Sequence, residues 1–273
     1  MQTADQWLKE LTSLYTPTTY QFEAARSHRD SILRRLDAAI GVKEMFEIGS
    51  LRHGTGVWTY SDADFLVSLK GTIPSSPDYM LSRVRIALQE RFVSTTISVR
   101  KPAVVCKFND GDIEIVPGYE DILGYMIADP SGGWLKTYPK HHNEYVNTVN
   151  RNVNGGAKSL ARLLKVWKYR RQVPISSCYL EMRAAKYMSN ESSYVPMIDL
   201  YRVLKTLHDV ELASLNDPTG LSTRFRACSS DANRSAALGK LSTAYSRISN
   251  ARSLEMSGDD GTAIDFLELL FDR

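Results

Sequence analysis

The run Asp62-Ala63-Asp64-Phe65-Leu66-Val67-Ser68-Leu69 constrains the fold of this chain more than any other stretch. Its body is almost continuously apolar and is closed by Lys70-Gly71. That is the pattern of a strand buried on both faces, in the interior of a sheet. Its leading end carries two carboxylates. Side chains at i and i+2 of a strand share a face, so Asp62 and Asp64 aim together with Cα atoms ~7 Å apart. Like charges held that close oppose ionisation, and a divalent cation removes the penalty.

Patterning along the chain supplies the neighbours of this strand. Phe22, Ala25, Ile32, Leu33, Leu36, Ala39 and Ile40 recur at helical spacing, predicting a long helix over about 19–41 with Gly41 as its stop. Phe46-Glu47-Ile48 reads as a short strand running into Gly49-Ser50. Residues 78–91 read as a helix with Tyr79, Val84, Ala87 and Leu88 inward. Strands are predicted at 93–99, 103–108 and 112–116, the last two joined by an Asn109-Asp110-Gly111 turn. Residues 118–150 read as loop-rich, with Pro130, Gly132, Gly133 and Pro139. Beyond Lys158 the pattern is helical, at about 159–171, 179–188, 197–207, 232–255 and 261–271.

The expected fold class is therefore α+β, a mixed sheet with helices followed by a C-terminal helical lobe. The expected division is 1–130 and 131–273, forming one bilobal unit with a ligand site in the cleft between the lobes.

At 273 residues the chain is long enough for one large or two small domains with a substantial core. A net charge of +3 gives no global field for nucleic acid, so any polyanion site is a local cluster. Cys106, Cys178 and Cys228 have no metal-ligand spacing and form no even framework, which fits a reduced, cytoplasmic protein. Asp5, Lys9 and Glu10 interrupt the first apolar residues, so no signal peptide is expected. No apolar run suggests a membrane span, and no membrane partner is expected.

The chemistry concentrates around the two acids. Gly49 lets a phosphate approach the backbone closely, and the Ser50 amide and hydroxyl can donate to phosphate oxygens. Asp112 and Glu114 share one face of the strand leading to Val116-Pro117. If that strand lies beside the first, Glu114 completes a triad of metal ligands with Asp62 and Asp64. Lys158, Arg162 and Lys165 form one stripe of a helix, and Lys165 flanks its apolar face. Ser177 stands near a helix start, where its hydroxyl could meet the same phosphates.

These segments resemble the polymerase-β-like nucleotidyltransferases, and more closely the bacterial CD-NTases related to cyclic GMP-AMP synthase and oligoadenylate synthetase. The resemblance is carried by Gly49-Ser50-Leu51-Arg52-His53-Gly54-Thr55, Ser61-Asp62-Ala63-Asp64-Phe65 and Ile113-Glu114-Ile115-Val116-Pro117-Gly118-Tyr119. Leu160 to Lys168, Ser177-Cys178-Tyr179-Leu180-Glu181 and the closing Ala263 to Phe271 extend it in the same order. It implies that Asp62, Asp64 and Glu114 hold two Mg²⁺ ions, or Mn²⁺. It implies that Gly49, Ser50, Lys165 and Ser177 hold a donor triphosphate. The implied activity is joining nucleoside triphosphates into a cyclic or short linear oligonucleotide messenger for an effector protein in antiphage defence, without a stably bound nucleic acid. Many relatives carry aspartate as the third acid. Here Glu114 takes that position, and Asp112 lies two residues earlier on the same face.

Other readings stay open from sequence: transfer of a nucleotide onto a protein, small molecule or RNA end, or a non-catalytic nucleotide or RNA binder. His53 and the pair His141-His142 are read as surface loop residues, Asn150, Asn152 and Asn154 equally as turn residues or base readers, and Trp167 as core.

Overall fold

The computed structural model describes residues 2–60, 62–222 and 224–273, with the side chains of 19–22 and 24–26 excluded. Phe22, Ala25 and Ser61 of the sequence reading therefore lie outside the described residues or side chains. The chain begins with α1 (Ala4–Leu14), α2 (Thr19–Ala39), β1 (Val42–Ile48) and a single turn, α3 (Gly49–His53). It continues through β2 (Ala63–Leu69), α4 (Pro77–Arg91), β3 (Thr96–Arg100), β4 (Ala103–Phe108), β5 (Gly111–Asp121), β6 (Gly124–Ala128) and β7 (Trp134–Thr137). The remainder is α5 (Pro139–Asn152), α6 (Gly156–Arg170), α7 (Ser177–Met188), α8 (Pro196–Asp209), the small pair β8 (Leu215–Asn216) and β9 (Arg224–Phe225), α9 (Asp231–Met256) and α10 (Asp260–Phe271).

These elements group into two compact units. One comprises Pro17–Gly54 and Ser61–Asn143; the other comprises Met1–Thr16, Thr55–Tyr60 and Glu144–Arg273. The expectation of two continuous stretches, 1–130 and 131–273, differs from this grouping. The amino-terminal helix and residues 55–60 group with the carboxy-terminal helices, because α1 buries Trp7, Leu8 and Leu11 in the same apolar cluster as Leu160, Leu267 and Phe271.

In the first unit the sheet order is β1-β2-β5-β4-β3, with β6 on β5 and β7 on β6. Every pairing in it is antiparallel except β2 with β5. That parallel pair sets Asp64 opposite Glu114. One sheet face, with Phe65, Val67, Ile113 and Ile115, is buried in a cluster that includes Ile32 and Leu36 of α2 and Leu81, Val84 and Leu88 of α4. The other carries Leu66, Ala103, Val116, Tyr125 and Ile127, and by strand alternation it is the face of Asp64 and Glu114. The predicted buried run is thus the second strand from one edge, apolar because both of its faces are covered. Gly41, at φ +89°, ends α2 as expected, its amide bonded to the carbonyls of Leu36 and Asp37.

In the second unit Leu160, Leu163, Leu164 and Trp167 of α6 are all buried, as the helical spacing requires. Among the described residues, no helix is long and apolar enough to cross a membrane.

Three expectations are corrected. Residues 118–150 are ordered into the end of β5, β6, β7 and α5 rather than loops; the glycines and Pro130 occupy the single turn between β6 and β7. Tyr79 is 58% exposed, and Met80 and Leu81 take the inward phase of α4. His53 and His142 are buried in helices, not displayed on loops.

Candidate active site

The sheet-bearing unit gathers Gly49, Ser50, Asp62, Asp64 and Glu114. Asp64 is the second residue of β2, Asp62 immediately precedes the strand, and Glu114 faces Asp64 from β5. Gly49 opens α3 with φ +64°, a conformation that favours glycine. A Cβ placed on it would lie 2.2 Å from Asp64 Oδ2. The carboxylate therefore rests directly on the Gly-Ser turn, so the glycine is required both by its backbone and by the space its missing side chain leaves.

Two of the acids share one cation. Arg100, the last residue of β3, pairs with Glu114 and reaches Asp62 Oδ2 at 3.4 Å. Burial pushes the Asp62 carboxyl above its ordinary range; the arginine opposes that, while repulsion from Asp112 adds to it. Asp112 sits opposite Lys107 on β4, and Glu114 opposite Val105. Glu114 is thus the acid in register with Asp64, and Asp112 is one step outward. Among the described residues, no group of three acidic, histidine or cysteine side chains converges closely enough to hold a metal ion.

A cavity of about 680 Å³ in the same unit is lined by Arg29, Glu44, Phe46, Glu47, Arg52 and Lys140 among others. None of the three acids lines it, so its volume says nothing about the chemistry of the acid site.

The remaining predicted residues belong to the helical unit. Lys165 is fully buried, and its Nζ donates to Glu181 Oε1 at 2.7 Å. Thr55 Oγ1 donates to the same oxygen at 2.5 Å. Arg162, also buried, donates from Nε to the Gly56 carbonyl at 2.9 Å. Two members of the predicted cationic stripe thus secure residues 55–60 within this unit. The lysine beside Ser177 is Lys168, whose Nζ lies 2.5 Å from the Ser177 Oγ and 4.7 Å from the centre of the Tyr169 ring. The Tyr169 hydroxyl is 3.3 Å from the same Oγ, and its ring stacks on Tyr60 at 4.9 Å. Burial, and then repulsion from Lys165, lower the Lys168 ammonium from 10.5 to about 8. Asn150 Oδ1 accepts from the Lys158 amide at 3.0 Å, the turn role.

Sequence reasoning missed Arg100, Lys168 and Thr55. Lys168 lay in the quoted Leu160–Lys168 segment, one turn after Lys165, and the packed Trp167 beside it was a signal that the helix face there is partly enclosed. Nothing local marked Arg100, which reaches the acids from two strands away.

A family model described as the Second Messenger Oligonucleotide or Dinucleotide Synthetase domain matches residues 1–150, more than half of the chain. A protein named cyclic AMP-AMP-AMP synthase from Acinetobacter sp. is 28% identical over 225 residues, covering 77% of this chain and 65% of that protein. Another of that name, from Escherichia coli MS 115-1, is 26% identical over 165 residues, covering 55% and 51%. The matches span less than two thirds of these relatives' length. A solved CdnC–HORMA complex from E. coli MS115-1 superposes with a TM-score of 0.77 at 17% identity, covering 98% of this chain and 97% of that one. The CD-NTase CdnG of Bradyrhizobium diazoefficiens, solved with GTP, gives 0.75 at 14% identity and 98% of both chains. These likenesses establish the polymerase-β-like nucleotidyltransferase fold with a helical lobe. With the acids in register on β2 and β5 and the synthetase model matched across them, the chain belongs to the Second Messenger Oligonucleotide or Dinucleotide Synthetase family.

Proposed function

We propose that this protein is a metal-dependent nucleotidyltransferase that joins nucleoside triphosphates into a cyclic di- or trinucleotide, or a short linear oligonucleotide, releasing pyrophosphate. The observation that carries the reading is the apposition of Asp64 and Glu114 on parallel β2 and β5, with the Asp64 carboxylate lying against Gly49. The family implies dependence on a divalent metal. Hard carboxylate oxygens already drawn around one cation, Arg100, are a donor set that suits Mg²⁺ or Mn²⁺. Asp62, Asp64 and Glu114 would hold two such ions, which supply Lewis-acid polarisation and charge neutralisation when bound.

Each of the two units carries groups suited to phosphate. Gly49 leaves the backbone open to a phosphate, and Ser50 supplies donors beside it. Ser177 and Lys168 give a hydroxyl and an ammonium within one hydrogen bond of each other, suited to terminal phosphate oxygens. Lys165 supports that pair from behind, its charge matched by Glu181.

Two curated relatives bear the name cyclic AMP-AMP-AMP synthase, and a CdnC structure from E. coli MS115-1 was solved with ATP. ATP is therefore the first substrate to supply, as donor and acceptor, and cyclic tri-AMP the first product to seek. We place the activity in the bacterial cytoplasm, in antiphage signalling through a nucleotide-responsive effector. Incubation with the four labelled triphosphates and Mg²⁺ or Mn²⁺, followed by mass spectrometry and nuclease digestion, tests this. Wild type should release pyrophosphate and form a new oligonucleotide, and Asp62→Asn/Asp64→Asn should form none. Identical, null behaviour of both proteins in every condition would remove the proposal.

A further inference from the structure

We propose that Arg100 is an intramolecular counter-ion that occupies the acid site in place of a divalent cation and is displaced when the cation binds, so that it sets the metal affinity of the site. This rests on reading Asp62, Asp64 and Glu114 as the cation ligands. Arg100 pairs with Ala103 on β4, and Val105 on β4 lies opposite Glu114. Strand alternation therefore puts Arg100 on the sheet face of Glu114 and Asp64. Its guanidinium bridges Glu114 on β5 and Asp62 before β2, two of the three acids.

The arrangement answers an electrostatic need. Neighbouring carboxylates repel, a cation between them lowers that repulsion, and a planar guanidinium can engage two at once. It pairs with two of the acids, and among the described residues no three acids converge closely enough to hold a metal ion. The arginine end of the contact is open to solvent: the Arg100 side chain is 64% exposed, against 38% for Asp62 and 16% for Glu114, so screening weakens the Asp62 arm most. A compact dication bound by all three acids replaces one monovalent, flexible side chain bound by two.

The test is calorimetric titration of the nucleotide-free protein with Mn²⁺, which reads binding rather than turnover. Arg100→Ala should bind Mn²⁺ about fivefold more tightly than wild type, the factor expected for removing one exposed ion-pair competitor. Arg100→Lys, which keeps the charge but not the fork, should fall between them. Asp64→Asn should lose the binding. Unchanged or weaker Mn²⁺ binding by both Arg100 variants, with wild-type binding that depends on Asp64, would overturn the counter-ion role and leave the metal-site reading intact. Wild-type binding that is absent or indifferent to Asp64→Asn would overturn both. Melting curves of the Arg100 variants confirm that the exposed edge-strand substitution leaves the fold in place.

Discussion

At the scale of single residues, burial decides what each charge can do. Lys165 and Lys168 stand three positions apart on one helix, yet the first is committed to Glu181 and the second faces Ser177 with an ammonium near pH 8. Lys165, Glu181, Tyr169 and Ser177 are the polar groups around Lys168. Its folded pKa is depressed, so the cation is present below about pH 8 and is lost as pH rises through it. A bound triphosphate favours the charged form. ATP affinity should therefore weaken between about pH 7 and about pH 9, where the nucleotide's own charge is already complete. Lys168→Met should bind ATP about tenfold more weakly at pH 7 and lose most of that pH dependence. Titrations at several pH values check both, and an unaltered profile in the variant would overturn the proposed phosphate role of Lys168. The sequence displayed Asp62, Asp64 and Gly49 openly because spacing alone constrains them. It could not separate Lys165 from Lys168, because both lie on an amphipathic helix and only packing determines which ammonium is enclosed.

At the scale of elements, ends matter as much as faces. The last carbonyls of α10 lack partners within the helix. Arg171 Nε donates to Leu270 at 3.2 Å, Arg247 Nη1 to Leu269 at 2.6 Å, and Arg170 Nε to Phe271 at 3.3 Å. Arg171 also donates to Leu269. Removing Arg171 by substitution with Ala should cost about 1 kcal/mol, or about 2–4 °C in Tm. Arg247→Ala should act more than additively with it, because the two share the Leu269 carbonyl and only the double variant leaves it without either donor. Thermal melts of the two single variants and the double variant check this. The same local logic explains what the sequence hid. The helix α5 is rich in polar residues and begins at Pro139, so its inward Val146 and Val149 carried little weight against that proline and the Gly132-Gly133 pair of the preceding turn.

At the scale of the molecule, chain order and compactness part company. Periodicity reports each helix separately and is silent on which helices share a core. The amino-terminal helix is held in the helical unit by Trp7, Leu8 and Leu11, by Asp5 Oδ1 accepting from the Met197 amide at 2.8 Å, and by the Ala4 amide donating to Asp260 Oδ1 at 2.8 Å. Deleting residues 1–16 should therefore uncover an apolar groove on the carboxy-terminal helices. A lowered Tm and increased binding of a hydrophobic dye are expected, since losing a buried Trp and two Leu side chains costs about 2–5 kcal/mol each. Retention of the full-length melting profile would contradict this assignment.

The parallel pairing of β2 with β5 has a consequence for the life of the polypeptide. The β4–β5 hairpin closes through a tight local turn, whereas Asp64 and Glu114 are about fifty residues apart and meet only through that pairing. A ribosome that has made Asp62, Asp64 and the Gly-Ser turn has not yet made their partner. Truncated products and chains opened along β5 lack the apposed acids altogether. The apposition of Asp64 with Glu114 thus arrives only when β5 has been made and has paired with β2.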